Sequence, residues 1–283
     1  MSDAKAKLVT AEWLAGEIDK PDLVVVDASW HLPSANRHGH AEFLAGHIPG
    51  AVFFDQDKIV DPASDLPHAL PTPEVFATAV GALGIAANKR IVVYDSAAMP
   101  SAPRLWWMLR LFGAEDVAVL DGGYQAWTAG DRPIETGEST RLGTHFEPRP
   151  SLDAVAQAAD VQQALEEGTA QVVDARAAAR FKGLVAEPRA GLRSGHMPGA
   201  LNVPVTELFA GGHFKIDGQL KETFTQAGVD LGRPVITTCG SGVTAAVLAF
   251  GLARLGVAEV RLYDGSWSEW GARADLPVAT DAA

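Results

Sequence analysis

Residues 234–256 read PVITTCGSGVTAAVLAFGLARLG. The opening PVITT is an apolar, β-branched run too short for a helix and reads as a strand. It passes directly into the short segment Cys239-Gly240-Ser241-Gly242-Val243-Thr244, and a helix is expected over AAVLAFGLARLG. Strand, tight loop and helix in that order build an open α/β sheet, and ligands of such sheets bind beyond the carboxyl ends of the strands. The cysteine stands at such an end.

Working outward, the stretch has a partner in the first half. KRIVVYDSAAM (89–99) answers RPVITTCGSGV (233–243), so Asp95 aligns with Cys239. Three further pairs occur in the same order: LVVVDASW with AQVVDARAAARF, EFLAGHIPGAVFFD with LRSGHMPGALNVP, and LRLFGAEDVAVLDGGYQAW with LARLGVAEVRLYDGSWSEW. Four matched blocks indicate an internal duplication, and two copies point to paired domains rather than a solenoid. Each half alternates short β-branched runs (VVVD, AVFF, IVVYD, VAVLD) with helical spacing such as PRLWWMLRLFG. The expected class is α/β: two domains, each a mainly parallel sheet flanked by helices on both faces. Residues 134–150 (IETGESTRLGTHFEPRP) are polar and end Pro-rich, as a linker does. The expected domains are 1–147 and 148–283, with the thiol only in the second.

Composition narrows the partners. At 283 residues, with 47% hydrophobic and 20% charged residues, the chain suits two globular domains. A formal charge of −12, without a long Lys/Arg cluster, argues against nucleic acid. The stretch MSDAKAKLVT lacks the apolar core of a secretory signal, and no run approaches the roughly 20 apolar residues of a membrane span. A cytoplasmic protein without a membrane partner is expected, and a monomer, since two halves can bury each other's faces. The single cysteine excludes an intramolecular disulfide and a multi-cysteine metal site.

A lone cysteine is commonly a small buried hydrophobe, so its setting decides. Gly240 and Gly242 allow the backbone to fold into a cup in which N–H groups gather, and a helix N-terminus adds positive partial charge. Such surroundings hold a sulfur as thiolate, ready to attack, and suit an anion on a second sulfur bonded to it.

At these residues the chain resembles the tandem-domain rhodanese family of sulfurtransferases, and the loop C-G-S-G-V-T-A is similar to its 3-mercaptopyruvate branch. The blocks GHIPGAVFFD, SAPRLWWM, GHMPGALNVP and YDGSWSEWGAR agree along essentially the whole chain. Met197 stands where isoleucine is the common family residue. The resemblance implies a ping-pong sulfurtransferase: Cys239 takes sulfur from 3-mercaptopyruvate as a persulfide, pyruvate leaves, and a small thiol, thioredoxin or cyanide removes the outer sulfur. No metal or organic cofactor is implied. Gly240, Ser241, Gly242, Val243 and Thr244 would stabilise the persulfide. Arg180 and Arg189, in RFKGLVAEPR, match the family's substrate arginines, and guanidinium forks suit a keto acid's carboxylate. Ser241, His68 and Asp57 match a proton relay in which Asp orients His and His exchanges a proton through Ser. For Asp57 and His68 a hydrogen bond tying the two halves together is the competing reading.

Other conspicuous residues read as structural. His47 and His196 recur in both copies although only one has a cysteine, so they are expected to fix a turn. Asp27 and Asp174 end equivalent strands; Asp121 and Asp264 begin D-G turns. Trp106, Trp107, Trp127, Trp267 and Trp270 are expected in cores or at a domain interface. Three rivals remain. A thiosulfate:cyanide sulfurtransferase would carry cations after the cysteine (a C-R-K-G loop), where Gly240 and Ser241 are neutral. A cysteine phosphatase would need a longer loop closed by an arginine. A non-catalytic rhodanese-like binding module describes the first half better than the second.

Overall fold

The computed structural model describes residues 6–96 and 100–281. They form two compact units: residues 6–63 with 70–151, and residues 64–69 with 152–281.

The first unit runs β1 (Lys7–Val9), α1 (Ala11–Glu17), β2 (Leu23–Asp27), α2 (Gly39–Ala45), β3 (Val52–Phe53), α3 (Pro73–Ala82), β4 (Arg90–Tyr94), α4 (Ala102–Leu111), β5 (Asp116–Leu120) and α5 (Gly123–Thr128). Its strands lie in the order β1-β5-β4-β2-β3, and every pairing is parallel. Side chains alternate across a strand, and here both faces are buried. Leu23, Val25, Val92 and Tyr94 pack with Leu14, Phe43 and Trp127 from α1, α2 and α5. Val24, Val26, Ile91 and Val93 are equally buried, and α4 packs on β4 and β5. Each such valine or isoleucine contributes about 1.5–3 kcal/mol. Burial on both faces is why these strands read as continuous apolar runs. Local chemistry sets the helix starts. Thr72 accepts a hydrogen bond from the Val75 amide, and Pro73 takes the first helical position, where no N–H is needed.

The second unit repeats this plan with β6 (Val155–Ala156), α6 (Ala158–Glu167), β7 (Gln171–Asp174), α7 (Ala178–Phe181), β8 (Leu201–Asn202), β9 (Phe209–Ala210), β10 (His213–Phe214), α8 (Asp217–Gln226), β11 (Val235–Thr238), α9 (Val243–Arg254), β12 (Val260–Tyr263) and α10 (Ser266–Trp270). The main sheet has the order β6-β12-β11-β7-β8, again all parallel. An antiparallel pair, β9 with β10, stands apart from it. Val172, Ile236 and Tyr263 pack with Val161 of α6 and with Trp267 and Trp270, while α9 covers β11 and β12. In each sheet the middle strand, β4 or β11, delivers the residue aligned between copies: Asp95 in the first, Cys239 in the second.

The structural readings find matching geometry in both copies. His47 Nδ1 lies 2.8 Å from the Phe43 carbonyl and its ring stacks on Phe43; His196 Nδ1 lies 2.9 Å from the Phe181 carbonyl and stacks on Phe181. A carboxylate oxygen of Asp27 accepts from the Ser29 amide, and one of Asp174 from the Arg176 amide, each at 2.8 Å. The five tryptophans are buried; the indole N–H groups of Trp127 and Trp270 donate to the carbonyls of Pro133 and Pro277.

The segment expected as a linker carries no helix or strand beyond a single bridge at Glu135. Its bonds lead into the first unit: the Thr144 amide donates to Gly81, Arg149 to Phe112 and Ser151 to Leu111, and Phe146 packs edge-on against Phe76. That anchoring carries the first unit through Ser151, beyond the boundary near 148 expected from composition.

Candidate active site

The loop after β11 is short because one residue turns it. Gly242 adopts φ +82° and leads into α9, a conformation costly to any residue with a Cβ. The residues expected to stabilise a persulfide, Gly240 to Thr244, therefore span the turn and the first two helical positions, where N–H groups have no intrahelical acceptors.

A second clamp comes from the turn after β12. The Trp267 amide donates to the Cys239 carbonyl at 2.9 Å, and the amide and hydroxyl of Ser268 donate to the Gly240 carbonyl at 2.9 and 2.7 Å. Cys239 itself is 2% exposed. Of its loop neighbours, Gly240 lies against the Arg180 guanidinium and the Ser241 hydroxyl lies within reach of Arg189.

Both predicted arginines converge on this loop. A Cβ built on Gly240 would lie 3.2 Å from Nη2 of Arg180 and 3.9 Å from Nη1 of Arg189. Arg189 also places Nη2 3.4 Å from the Ser241 hydroxyl. Glycine at 240 is thus the residue that lets a guanidinium close on the backbone. The loop carries no cation of its own; the charge comes from α7 and the segment after it.

His68 belongs to the second unit through residues 64–69. Its Nδ1 lies 2.9 Å from the Ser241 hydroxyl, and its backbone takes φ +59°. Of the expected relay, Ser241 and His68 meet. Asp57 lies in the first unit, where the Trp30 indole N–H donates to its carboxylate at 2.9 Å. Among the described residues, no group of three or more His, Cys, Asp or Glu side chains is arranged to hold a metal.

Sequence reasoning passed over Glu187 and Arg176. The Glu187 side chain is 1% exposed and carries two guanidinium groups: Arg176 donates to it at 2.9 Å, and Arg180 at 2.5 and 3.2 Å. Arg176 also forks onto Asp174 and stacks over Trp267, 4.1 Å from the ring centre. Burial works against the Arg176 charge, but Asp174 and Glu187 outweigh it and hold its pKa above the ordinary value. Arg180 is thereby aimed at Gly240 by a buried carboxylate. Arg176 lies outside the block RFKGLVAEPR that holds Arg180 and Glu187, so no local spacing joins the three.

Comparison with known proteins agrees along the chain. Residues 10–130 and 157–273 each match the rhodanese-like domain family. The 3-mercaptopyruvate sulfurtransferase of Escherichia coli K12 is 50% identical over 271 residues, covering 95% of this chain and 96% of that protein. The human 3-mercaptopyruvate sulfurtransferase is 40% identical over 274 residues, covering 94% and 92%. Among solved structures, the Escherichia coli 3-mercaptopyruvate enzyme SseA matches with a TM-score of 0.85 at 47% identity, over 93% of this chain and 100% of that one. Tum1 of Saccharomyces cerevisiae matches with a TM-score of 0.88 at 28% identity, over 99% of each chain.

Proposed function

The chain belongs to the rhodanese family, whose domain it carries twice, and from that membership we propose that it is a sulfurtransferase moving sulfur from 3-mercaptopyruvate through a Cys239 persulfide. The observation that carries this reading is the convergence of Arg180 and Arg189 on Gly240, one residue from the only thiol of the chain. A keto acid needs cationic forks for its carboxylate and ketone, and two guanidinium groups supply them. The names of the similar proteins support the same donor.

In the proposed reaction the Cys239 thiolate attacks the donor sulfur. The sulfur–sulfur bond forms as the bond from sulfur to the donor CH₂ breaks, and that electron pair passes into the enolate of pyruvate, whose oxygen charge an arginine stabilises. The donor's S–H proton ends on the pyruvate methyl group. His68 and Ser241, 2.9 Å apart, are the groups assigned to carry it. A persulfide anion remains, held by the loop from Gly240 to Thr244. A thiol acceptor, thioredoxin or cyanide then attacks the outer sulfur and frees Cys239. A reducing cytoplasm, home of thiol acceptors, fits a chain whose single cysteine must stay unpaired; no helix among the described residues is long and apolar enough to cross a membrane. The catalytic chain is read as a monomer.

Donor choice is the sharpest test of this reading. Catalytic efficiency for 3-mercaptopyruvate and thiosulfate, measured on one preparation, is expected to favour 3-mercaptopyruvate, because positions 240 and 241 are neutral. A preference for thiosulfate overturns the assignment.

A further inference from the structure

The residue after Gly265 is serine in the second copy and glycine, Gly123, in the first, and both take positive φ: +49° at Ser266 and +55° at Gly123. Glycine adopts that backbone freely, whereas a residue with a Cβ is strained there. Ser266 is also fully buried. A buried, strained side chain at a place where the sister domain uses glycine calls for a compensating contact.

The contact is with the cysteine. The Cys239 amide donates to the Ser266 hydroxyl at 3.2 Å, and that hydroxyl donates its own hydrogen to the Tyr263 carbonyl at 2.8 Å. The Thr238 hydroxyl lies 3.4 Å away. With Trp267 holding the Cys239 carbonyl, both polar backbone groups of the cysteine are fixed by consecutive residues of one turn. The two copies separate what is structural from what is not. The carbonyl clamp is common to both, since the Tyr124 amide donates to Asp95 at 2.9 Å as Trp267 does to Cys239. The carbonyl one residue on is also held in both, by Gln125 on Ser96 and by Ser268 on Gly240. Glycine at 123 offers no hydroxyl, so a hydroxyl from this turn can meet the amide only in the copy with the thiol.

We propose that Ser266 is a positioning residue for sulfur transfer: its hydroxyl fixes the Cys239 peptide, and with it the direction of the Cα–Cβ bond that carries the sulfur, while backbone strain is the cost. This rests on the sulfurtransferase reading above. The test uses the full-length protein with Ser266→Gly, which installs the first copy's residue, and Ser266→Ala, which removes only the hydroxyl. Three readouts are taken: kcat and KM for 3-mercaptopyruvate, the iodoacetamide alkylation rate of the single cysteine, and the melting temperature. Both variants are expected to lose about tenfold in kcat, the size of losing one hydrogen bond that holds the attacking sulfur in line, with KM within about twofold. Alkylation should slow in both, and Ser266→Gly should melt above Ser266→Ala, because both lose the hydroxyl but only glycine relieves the strain. Wild-type kcat and alkylation in either variant overturns the proposal, as does Ser266→Gly melting no higher than Ser266→Ala. Failure of the donor reading is seen separately, as wild-type protein that does not turn over 3-mercaptopyruvate yet still alkylates.

Discussion

Asp95 and Cys239 occupy the same point of two equivalent sheets, each following the middle strand and each with its carbonyl held at 2.9 Å by the amide of an aromatic residue, Tyr124 or Trp267. What differs is the side chain. The Asp95 carboxylate accepts from the amides of Ser101 and Ala102, at 2.8 and 2.6 Å, at the start of α4. The first copy therefore fills its own helix end with an anion, where the second presents a sulfur.

That difference gives a stability prediction. Asp95→Ala leaves the amides of Ser101 and Ala102 without their acceptor in a buried place, and is expected to destabilise the first unit by about 1–3 kcal/mol. Urea unfolding checks it; an unchanged midpoint contradicts the capping role.

Glu187→Gln tests how Arg180 is aimed. Removing the charge leaves Arg176 and Arg180 sharing a neutral partner in a buried site, with an expected cost of about 2–4 kcal/mol. Because Arg180 loses its guide, KM for 3-mercaptopyruvate should rise about tenfold, with a smaller effect on kcat. Steady-state kinetics at matched folded fraction decides between aiming and mere stabilisation. Unchanged KM would leave Glu187 a folding residue only.

Gly240→Ala tests the close approach. The added Cβ would meet Arg180 Nη2 at 3.2 Å, tighter than ordinary contact, and Arg180, whose side chain is 22% exposed, has room to swing away. KM for 3-mercaptopyruvate is expected to rise by roughly three- to tenfold. A wild-type KM means that Arg180 does not bind the donor from this position.

A pH effect on stability comes from Asp27. Burial pushes its carboxyl from an ordinary 3.8 up to about 7, against the opposing pull of its hydrogen bonds. Between those values the folded chain holds a proton that the unfolded chain releases. Its stabilising contribution is complete below the lower value and is lost as pH rises through the upper one. Asp27→Asn cannot ionise, and its side-chain oxygen can still accept from the Ser29 amide. The variant should gain on the order of 1–3 kcal/mol relative to wild type at about pH 8 and little at about pH 4. Unfolding curves at both pH values check this; equal shifts at both contradict it.

Much of this molecule is legible in its sequence, for physical reasons that differ by residue. The parallel strands are visible because burial on both faces leaves runs such as LVVVD and RIVVY almost wholly apolar. Cys239 and its loop stand out because strand, glycine turn and helix are contiguous in the chain. Arg180 and Arg189 were legible only through a family resemblance, since an arginine in a loop is usually solvated. Glu187 was missed because its meaning lies in burial between two guanidinium groups, which spacing does not reveal. Ser266 was missed because the sign of φ is invisible in the letters D-G-S. The attachment of residues 64–69 to the second unit depends on contacts distant in the chain, such as His68 with Ser241, and no local pattern encodes it.

The central claim is that Cys239 accepts a sulfur atom, and intact-mass measurement tests it most directly. Protein treated with 3-mercaptopyruvate is expected to gain one sulfur, to lose it on addition of cyanide, and to gain none as Cys239→Ser. An unchanged mass for the wild-type chain, or an equal gain in Cys239→Ser, contradicts the account.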